Sequence, residues 1–325
     1  MTRPRRGLVL GAGGVLGAAW TIGALCALEE VEGLDVRDVN VLIGTSAGSV
    51  LAAMIAAGWS AQALRNHHEG LPLPAQTPPI VWDHDSGTGG ALPPTPRPGI
   101  GSTSLLRHVS HDPFRFPPLA VLSALLPEGR ASLDPIRRAI ASLSPGDPDA
   151  WSGHRGLRVV AMDYDTGRRV SFGGPAAPSV SLADAVAASC AIPGWYAPIE
   201  IGGHRYVDGG ACSATSVDLC ASHDLDEVYV LAPMGSFVLD EPASLAARVE
   251  RQVRRQVTRR MLREAARVEV DGARLTLLAP GPADLAAIGA NLMDPERRGQ
   301  VLATSLKTSA AALRHPAPDD LGVAI

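Results

Sequence analysis

The pentapeptide Gly44-Thr45-Ser46-Ala47-Gly48 is the sharpest local signal in this chain. It reads G-x-S-x-G and stands between an apolar run, residues 40–43, and a helical pattern, residues 49–57, that Gly58 closes. A tight strand-to-helix turn of this kind projects a hydroxyl out of a sheet, and the glycines let strand and helix approach without Cβ clashes. The chemistry it suggests is nucleophilic acyl transfer, provided that a neighbouring base removes the hydroxyl proton. In a chain with 34 glycines the pentapeptide also arises as an ordinary turn, so its function depends on that base.

Nine histidines are available. His223 precedes a predicted strand, His315 lies in a proline-rich tail, and His204 sits in Gly202-Gly203-His204-Arg205, a hairpin turn. None stands at a strand end beside glycine, so all three read as solvated polar residues. Asp163 and Asp165 flank a hairpin signal, Asp165-Thr166-Gly167, and read as turn formers. Asp208 is the better base. Val207-Asp208-Gly209-Gly210 puts a carboxylate at the end of a short strand, where sites gather in parallel sheets, although an Asp-Gly turn alone gives the same pattern.

A third element is Gly11-Ala12-Gly13-Gly14-Val15-Leu16-Gly17, a glycine turn that opens onto a helix. Amides at a helix start point outward with the positive end of the dipole, so they suit an oxyanion or a phosphate. The dinucleotide spacing G-x-G-x-x-G fails, because Leu16 stands where the third glycine belongs. A P-loop fails for want of a Gly-Lys pair. An oxyanion hole fits best.

A glycine turn near the start, a G-x-S-x-G about thirty residues later and a distant Asp-Gly-Gly resemble, in this order, the patatin-like phospholipase family. The block Ala188-Ser189-Cys190-Ala191-Ile192-Pro193-Gly194-Trp195-Tyr196-Ala197-Pro198 resembles the segment that precedes the family's Asp-Gly-Gly. The resemblance implies a three-layer α/β/α fold and a Ser-Asp dyad without histidine. It implies Ser46 as nucleophile and Asp208 as base, with Gly13, Gly14 and Val15 supplying oxyanion amides. The amide of Ala47, the residue after the nucleophile, joins them. No cofactor and no metal are implied. Leu16 departs from the family, which carries Arg or Lys in this turn, and this leaves neutral esters, lysolipids and acylglycerols open beside phospholipids. The expected activity is carboxylic-ester hydrolysis of a lipid. An acyltransferase using the same dyad and a catalytically silent lipid-binding protein are the alternatives.

The elements that must hold these residues follow from hydrophobic pattern. Apolar runs at 7–10, 40–43, 157–162, 228–232 and 275–279 read as buried strands, with shorter ones at 169–172 and 206–207. Helices are predicted at 18–31, 49–57, 181–190 and 215–222. Strands that alternate with helices argue for an α/β fold with a mainly parallel sheet covered on both faces. Residues 1–325 are expected to form one domain, with a C-terminal helical part at about 240–315. Residues 71–118 hold eleven of the 27 prolines, which excludes helix and central strand there and predicts a mobile cap over the surface.

A hydrophobic share of 46% with 19% charged residues fits a folded chain, and a net charge of −4 without a dense basic run excludes nucleic acid as a partner. Cys26, Cys190, Cys212 and Cys220 lack metal-ligand spacing and read as free thiols in a reducing compartment. Arg3, Arg5 and Arg6 before the apolar run 8–28 imitate a signal peptide, but glycines at 7, 11, 13, 14, 17 and 23 punctuate the stretch, so a cytoplasmic location is expected. Residues 243–270 space Leu245, Val249, Val253, Val257 and Met261 four apart among eight arginines. Such a helix suits either a core with a solvated outer face, which is the favoured reading, or peripheral contact with a membrane surface. Nothing in the sequence fixes an oligomeric state.

Overall fold

Short apolar runs closed by glycine or polar residues become the strands of one sheet. In the computed structural model, which describes residues 3–82, 90, 92–144, 146–147, 149–221, 223–238, 240–242 and 244–315, β1 (Arg6–Leu10) is an interior strand. It runs parallel to β2 (Val41–Thr45) on one side and to β7 (Glu227–Leu231) on the other. Further parallel strands are β3 (Leu157–Asp163) beside β2 and β8 (Arg274–Leu278) beside β7. The antiparallel members are β4 (Arg169–Phe172) and β6 (His204–Asp208), both on β3, and β5 (Ile199–Ile201) on β6.

Period-two alternation divides the sheet between two cores. Leu8, Leu10 and Leu42 face α1 (Gly14–Glu32), α2 (Ala47–Ala56), α7 (Leu182–Cys190) and α10 (Arg298–Arg314). Val9, Val41 and Ile43 face the opposite way, onto Met261, Ala265 and Val268 of α8 (Leu245–Val270) and the 3-10 turn Val217–Cys220. The fold is therefore α/β, a mainly parallel sheet covered on both faces, in three layers as expected.

The register of β3 has a consequence for function. Val160 pairs with Ser171 of β4 and with Thr45 of β2, and Ala161 pairs with Val170 of β4 and with Asp208 of β6. A strand has two edges, so β2 and β6 share the edge that β4 does not occupy. They run toward each other along it, and their C-terminal ends, Thr45 and Asp208, meet at adjacent register positions.

Three sequence expectations need correction. The first helix begins at Gly14, not at 18, so half of the glycine turn is helical. The predicted helix 215–222 is a single 3-10 turn, Val217–Cys220, entered through Ser216 at φ 55°. The proline-rich stretch is not wholly irregular: α4 (Thr103–His111) forms between Pro98 and Pro113, started by the Ser102 side chain, which accepts the Leu105 N–H at 3.1 Å. Residues 83–89, with most of the predicted glycine-rich run, lie outside the described residues. The remaining helices are α3 (Ala61–Glu69), α5 (Pro118–Leu125), α6 (Asp134–Ala141) and α9 (Pro282–Ile288). Among the described helices α1 alone is long and apolar enough to span a membrane, and 67% of its apolar window is buried inside the protein.

The arginine-rich helix divides along its length. Val257 and Met261 are buried, Val253 is half-buried, and Leu245 and Val249 remain 76% and 59% exposed. At its N-terminal end the packed face is a different one: Ala247, Arg251 and Arg254 are buried, with Arg251 donating to Leu285 O and Arg254 to Pro233 O and Gly235 O, while Leu245 and Val249 face outward.

Candidate active site

Ser46 is the single residue between β2 and α2, and its backbone is unusual. At φ 54° and ψ −128° it occupies the first central position of a II′-like turn, glycine's territory, which costs a residue with a Cβ about 1–3 kcal/mol. The surroundings hold it there. Its N–H donates to Ser189 Oγ at 2.8 Å, whose own hydroxyl donates to Val160 O at 2.6 Å. Its carbonyl accepts from the Ser49 hydroxyl at 2.6 Å and the Ser49 N–H at 2.7 Å. Gly48 permits the turn, since a Cβ there would overlap the Leu10 carbonyl.

Asp208 ends β6 head-on to β2, and the Ser46 hydroxyl faces its carboxylate, where it favours the charged form. Oδ1 also accepts the Gly210 N–H at 2.7 Å. Burial disfavours the charged form and outweighs these two donors, so the carboxyl pKa is pushed up from its ordinary 3.8 to about 6. A carboxylate at that value is a far better proton acceptor near neutrality than a solvated one.

The glycine turn supplies amides to the same place. Gly11 and Ala12 donate their N–H groups to Leu231 O and Ala214 O, and Leu16 donates to Leu292 O at 2.9 Å. Gly13, Gly14 and Val15 have no such acceptor among the described residues, as expected for the cap and first two positions of a helix. Gly14 takes φ +61°, which turns the chain into α1 and is easy only for glycine. Leu16 is fully buried, so a basic side chain at this position has no path to the site without repacking the core.

Two apolar cavities meet at Ser46. The wider, of about 390 Å³, is lined by Asp208, Gly13, Leu119, Leu122, Trp195 and Val253, among others. The narrower, of about 90 Å³, runs between α1 and α2. No Lys or Arg lines either among the described residues. Cys190 borders the narrow one, where burial pushes its thiol pKa up and keeps it protonated, so it does not compete as a nucleophile.

The residues set aside in the sequence lie elsewhere. Asp163 Oδ1 accepts the N–H groups of Asp165 and Thr166, the expected turn chemistry, and Asp163 Oδ2 stands 3.2 Å from His204. Asp165 is engaged by Arg205 and by the Ser102 hydroxyl. His223 contacts Ala221 O. His67 and His68, which sequence reasoning overlooked, line the narrow cavity, and neither is among the partners of Asp208. Ser189 was also missed. It lies inside the quoted block, but only tertiary structure brings it 143 positions back to Ser46.

The family model for patatin-like phospholipase matches residues 8–221. No curated protein sequence matches significantly. Among solved structures, VipD from Legionella pneumophila is 14% identical at a TM-score of 0.47, with 96% of this chain and 67% of VipD covered. The type III effector ExoU is 18% identical at a TM-score of 0.39, over 96% of this chain and 53% of ExoU. Full-length ExoU in complex with SpcU, from Pseudomonas aeruginosa, gives 18% and 0.33 over 94% and 53%. The chain thus spans about half the length of ExoU. The match over residues 8–221 takes in the glycine turn, the serine elbow and the Asp-Gly-Gly, and on it the chain belongs to the patatin-like phospholipase family, a family of lipid hydrolases.

Proposed function

We propose that this chain is a carboxylic-ester hydrolase that acts on lipid esters through Ser46 and Asp208, with Gly13, Gly14, Val15 and Ala47 as the oxyanion hole. The observation that carries this reading is the meeting of β2 and β6, which sets a strained serine against a buried carboxylate of raised pKa. Asp208 takes the hydroxyl proton as Ser46 Oγ attacks the ester carbonyl, and the amides receive the charge that develops on oxygen. Collapse of the tetrahedral adduct breaks the ester bond, and Asp208 returns the proton to the departing alcohol. Water then attacks the acyl-serine, giving a proton to Asp208, and the fatty acid leaves as Ser46 is reprotonated. Residues 71–118 are read as a cap within a single 1–325 domain, since Trp82 reaches the narrow cavity.

A fluorophosphonate probe, with the modified peptide identified by mass spectrometry, tests the assignment. Ser46 is the expected adduct, and labelling at another residue, or none, overturns it. The labelling rate should also report the base. Asp208 must be ionised to accept a proton, so the rate should fall about tenfold per unit below an apparent pKa of about 6. A solvated carboxylate would place that limb near 4. Product analysis with glycerol present separates hydrolysis from acyl transfer.

Peripheral contact with a lipid surface is part of the same reading. Leu245 and Val249 are exposed on α8 in the two turns before Val253, which lines the wide cavity, and Arg248, Arg255, Arg259 and Arg263 are exposed on the same helix. Each basic residue near an anionic surface contributes about 1 kcal/mol. The full chain should co-sediment with vesicles containing phosphatidylserine more than with pure phosphatidylcholine, and L245E/V249E should lose this binding. The free cysteines fit a reducing cytoplasm as the setting.

A further inference from the structure

The narrow cavity is built with a direction. Ala47, Val50, Leu51 and Met54 line it from α2, and Val15, Ala18 and Ile22 from α1. The first set is spaced i, i+3, i+4, i+7 and the second i, i+3, i+7, each along one helical face, so the space between them is a groove that follows both helices. It begins at the helix N-termini, where Ser46 and the unengaged amides lie. It ends seven residues on, at Met54 and Ile22, against Leu64, His67, His68, Trp82 and Ile136. At 1.5 Å per residue the groove is about 10 Å deep.

The two cavities are not equivalent toward the ester. Asp208 lines the wide one and is not part of the narrow one. Whichever half of the substrate leaves as an alcohol must take its proton from Asp208, so the leaving group belongs on the Asp208 side. The acyl chain must then extend the other way, past Ala47 into the groove. The groove suits it: apart from Ser46, Tyr196 and the two histidines its walls are apolar or backbone, and burial lowers the pKa of His67 and pushes that of His68 down to about 4, which keeps both rings uncharged near neutrality.

We propose that the groove between α1 and α2 is the acyl pocket, that it selects esters of medium-length straight acyl chains, and that Met54 sets its depth. The proposal rests on the reading of Ser46 as nucleophile. An extended chain advances about 1.2 Å per bond, a third of the span of one peptide residue, so about 10 Å holds roughly eight carbons. A hexadecanoyl chain exceeds this, and its distal half must stay outside or force the far wall apart.

The test uses 4-nitrophenyl butanoate, octanoate, dodecanoate and hexadecanoate with the full chain. For the wild type, kcat/KM should be greatest for octanoate and about tenfold or more lower for hexadecanoate, in keeping with the selectivity of apolar pockets. M54W should lower the octanoate-to-butanoate ratio by about tenfold, and M54A should raise the dodecanoate-to-octanoate ratio. Because Met54 is buried, A18L from the facing helix provides a second shortening variant, and thermal melts verify that each variant folds. A preference for hexadecanoate, or ratios unchanged in folded variants, overturns the proposal. A readout independent of turnover separates it from the Ser46 reading. Octanoate should bind S46A protein more tightly than M54W/S46A protein by about tenfold in calorimetry, whether or not Ser46 is the nucleophile, and equal binding refutes the pocket.

Discussion

Ser46→Ala is expected to reduce ester hydrolysis about 10⁴-fold or more, leaving only the residual acceleration that binding and the oxyanion amides give, and to abolish fluorophosphonate labelling, as loss of a serine nucleophile does elsewhere. Its fold should survive. The companion variant Ser46→Gly should be equally inactive but more stable, for a reason that catalysis alone does not supply. Alanine keeps the Cβ and hence the strain of φ 54°, ψ −128°, whereas glycine adopts these angles freely. Both variants lose the hydroxyl that faces Asp208, so the difference between them isolates the backbone contribution, about 1–3 kcal/mol in favour of glycine. Urea unfolding of the two proteins measures it. Equal midpoints would show that the elbow is unstrained, and a fully active Ser46→Ala protein would sink the mechanism.

Asp208→Asn is expected to be inactive by a similar margin and yet, in alkaline solution, harder to unfold than the wild type. The folded pKa of Asp208, about 6, lies above its ordinary 3.8. The folded protein therefore holds the carboxyl proton more tightly than the unfolded chain does. This contribution to stability is fully present below about pH 4 and is lost as pH rises through about 6. Once the group is ionised the loss amounts to about 3 kcal/mol, from roughly two units at 1.36 kcal/mol each. Asparagine cannot ionise and escapes it. Urea unfolding at pH 5 and pH 8 should show the variant gaining on the wild type as pH rises. A constant difference across that range would mean that Asp208 titrates normally and is poorly suited to act as a base.

These two residues were also the most legible in the sequence, because their signals are local. A serine between glycines at a strand-to-helix junction and an aspartate before Gly-Gly each leave a mark within five positions. Period and punctuation likewise marked the strands, since a buried parallel strand is an unbroken apolar run. The less legible features depend on contacts distant in sequence. Ser189 acts on a residue 143 positions away, and nothing near it separates it from any other helical serine. The convergence of β2 and β6 depends on β3 using one edge twice, which no single strand encodes. Glycine misled the placement of α1. Read as punctuation, Gly14 and Gly17 delay the helix, but both are its residues, and Gly17 packs against Pro233, so tertiary contact overrides low propensity. Prolines at 98 and 113 similarly hid α4, whose nine residues fit between them. The exposure of Leu245 and Val249 was hidden by a four-residue spacing that continues smoothly into the buried Val257 and Met261.

The bare α-carbon of Gly48, pressed against the Leu10 carbonyl, fastens one strand-turn-helix unit to the other. The amide-bearing turn follows β1 and the serine follows β2, and the two strands are also zipped together in register from Gly7↔Val41 to Leu10↔Gly44. Neither turn can move relative to the other unless the ladder slips or the packing at Gly48 opens. Donors and hydroxyl consequently keep a fixed separation before any ester arrives. Little reorganisation is left to accompany bond making, which is the condition under which fixed dipoles stabilise a developing charge most effectively.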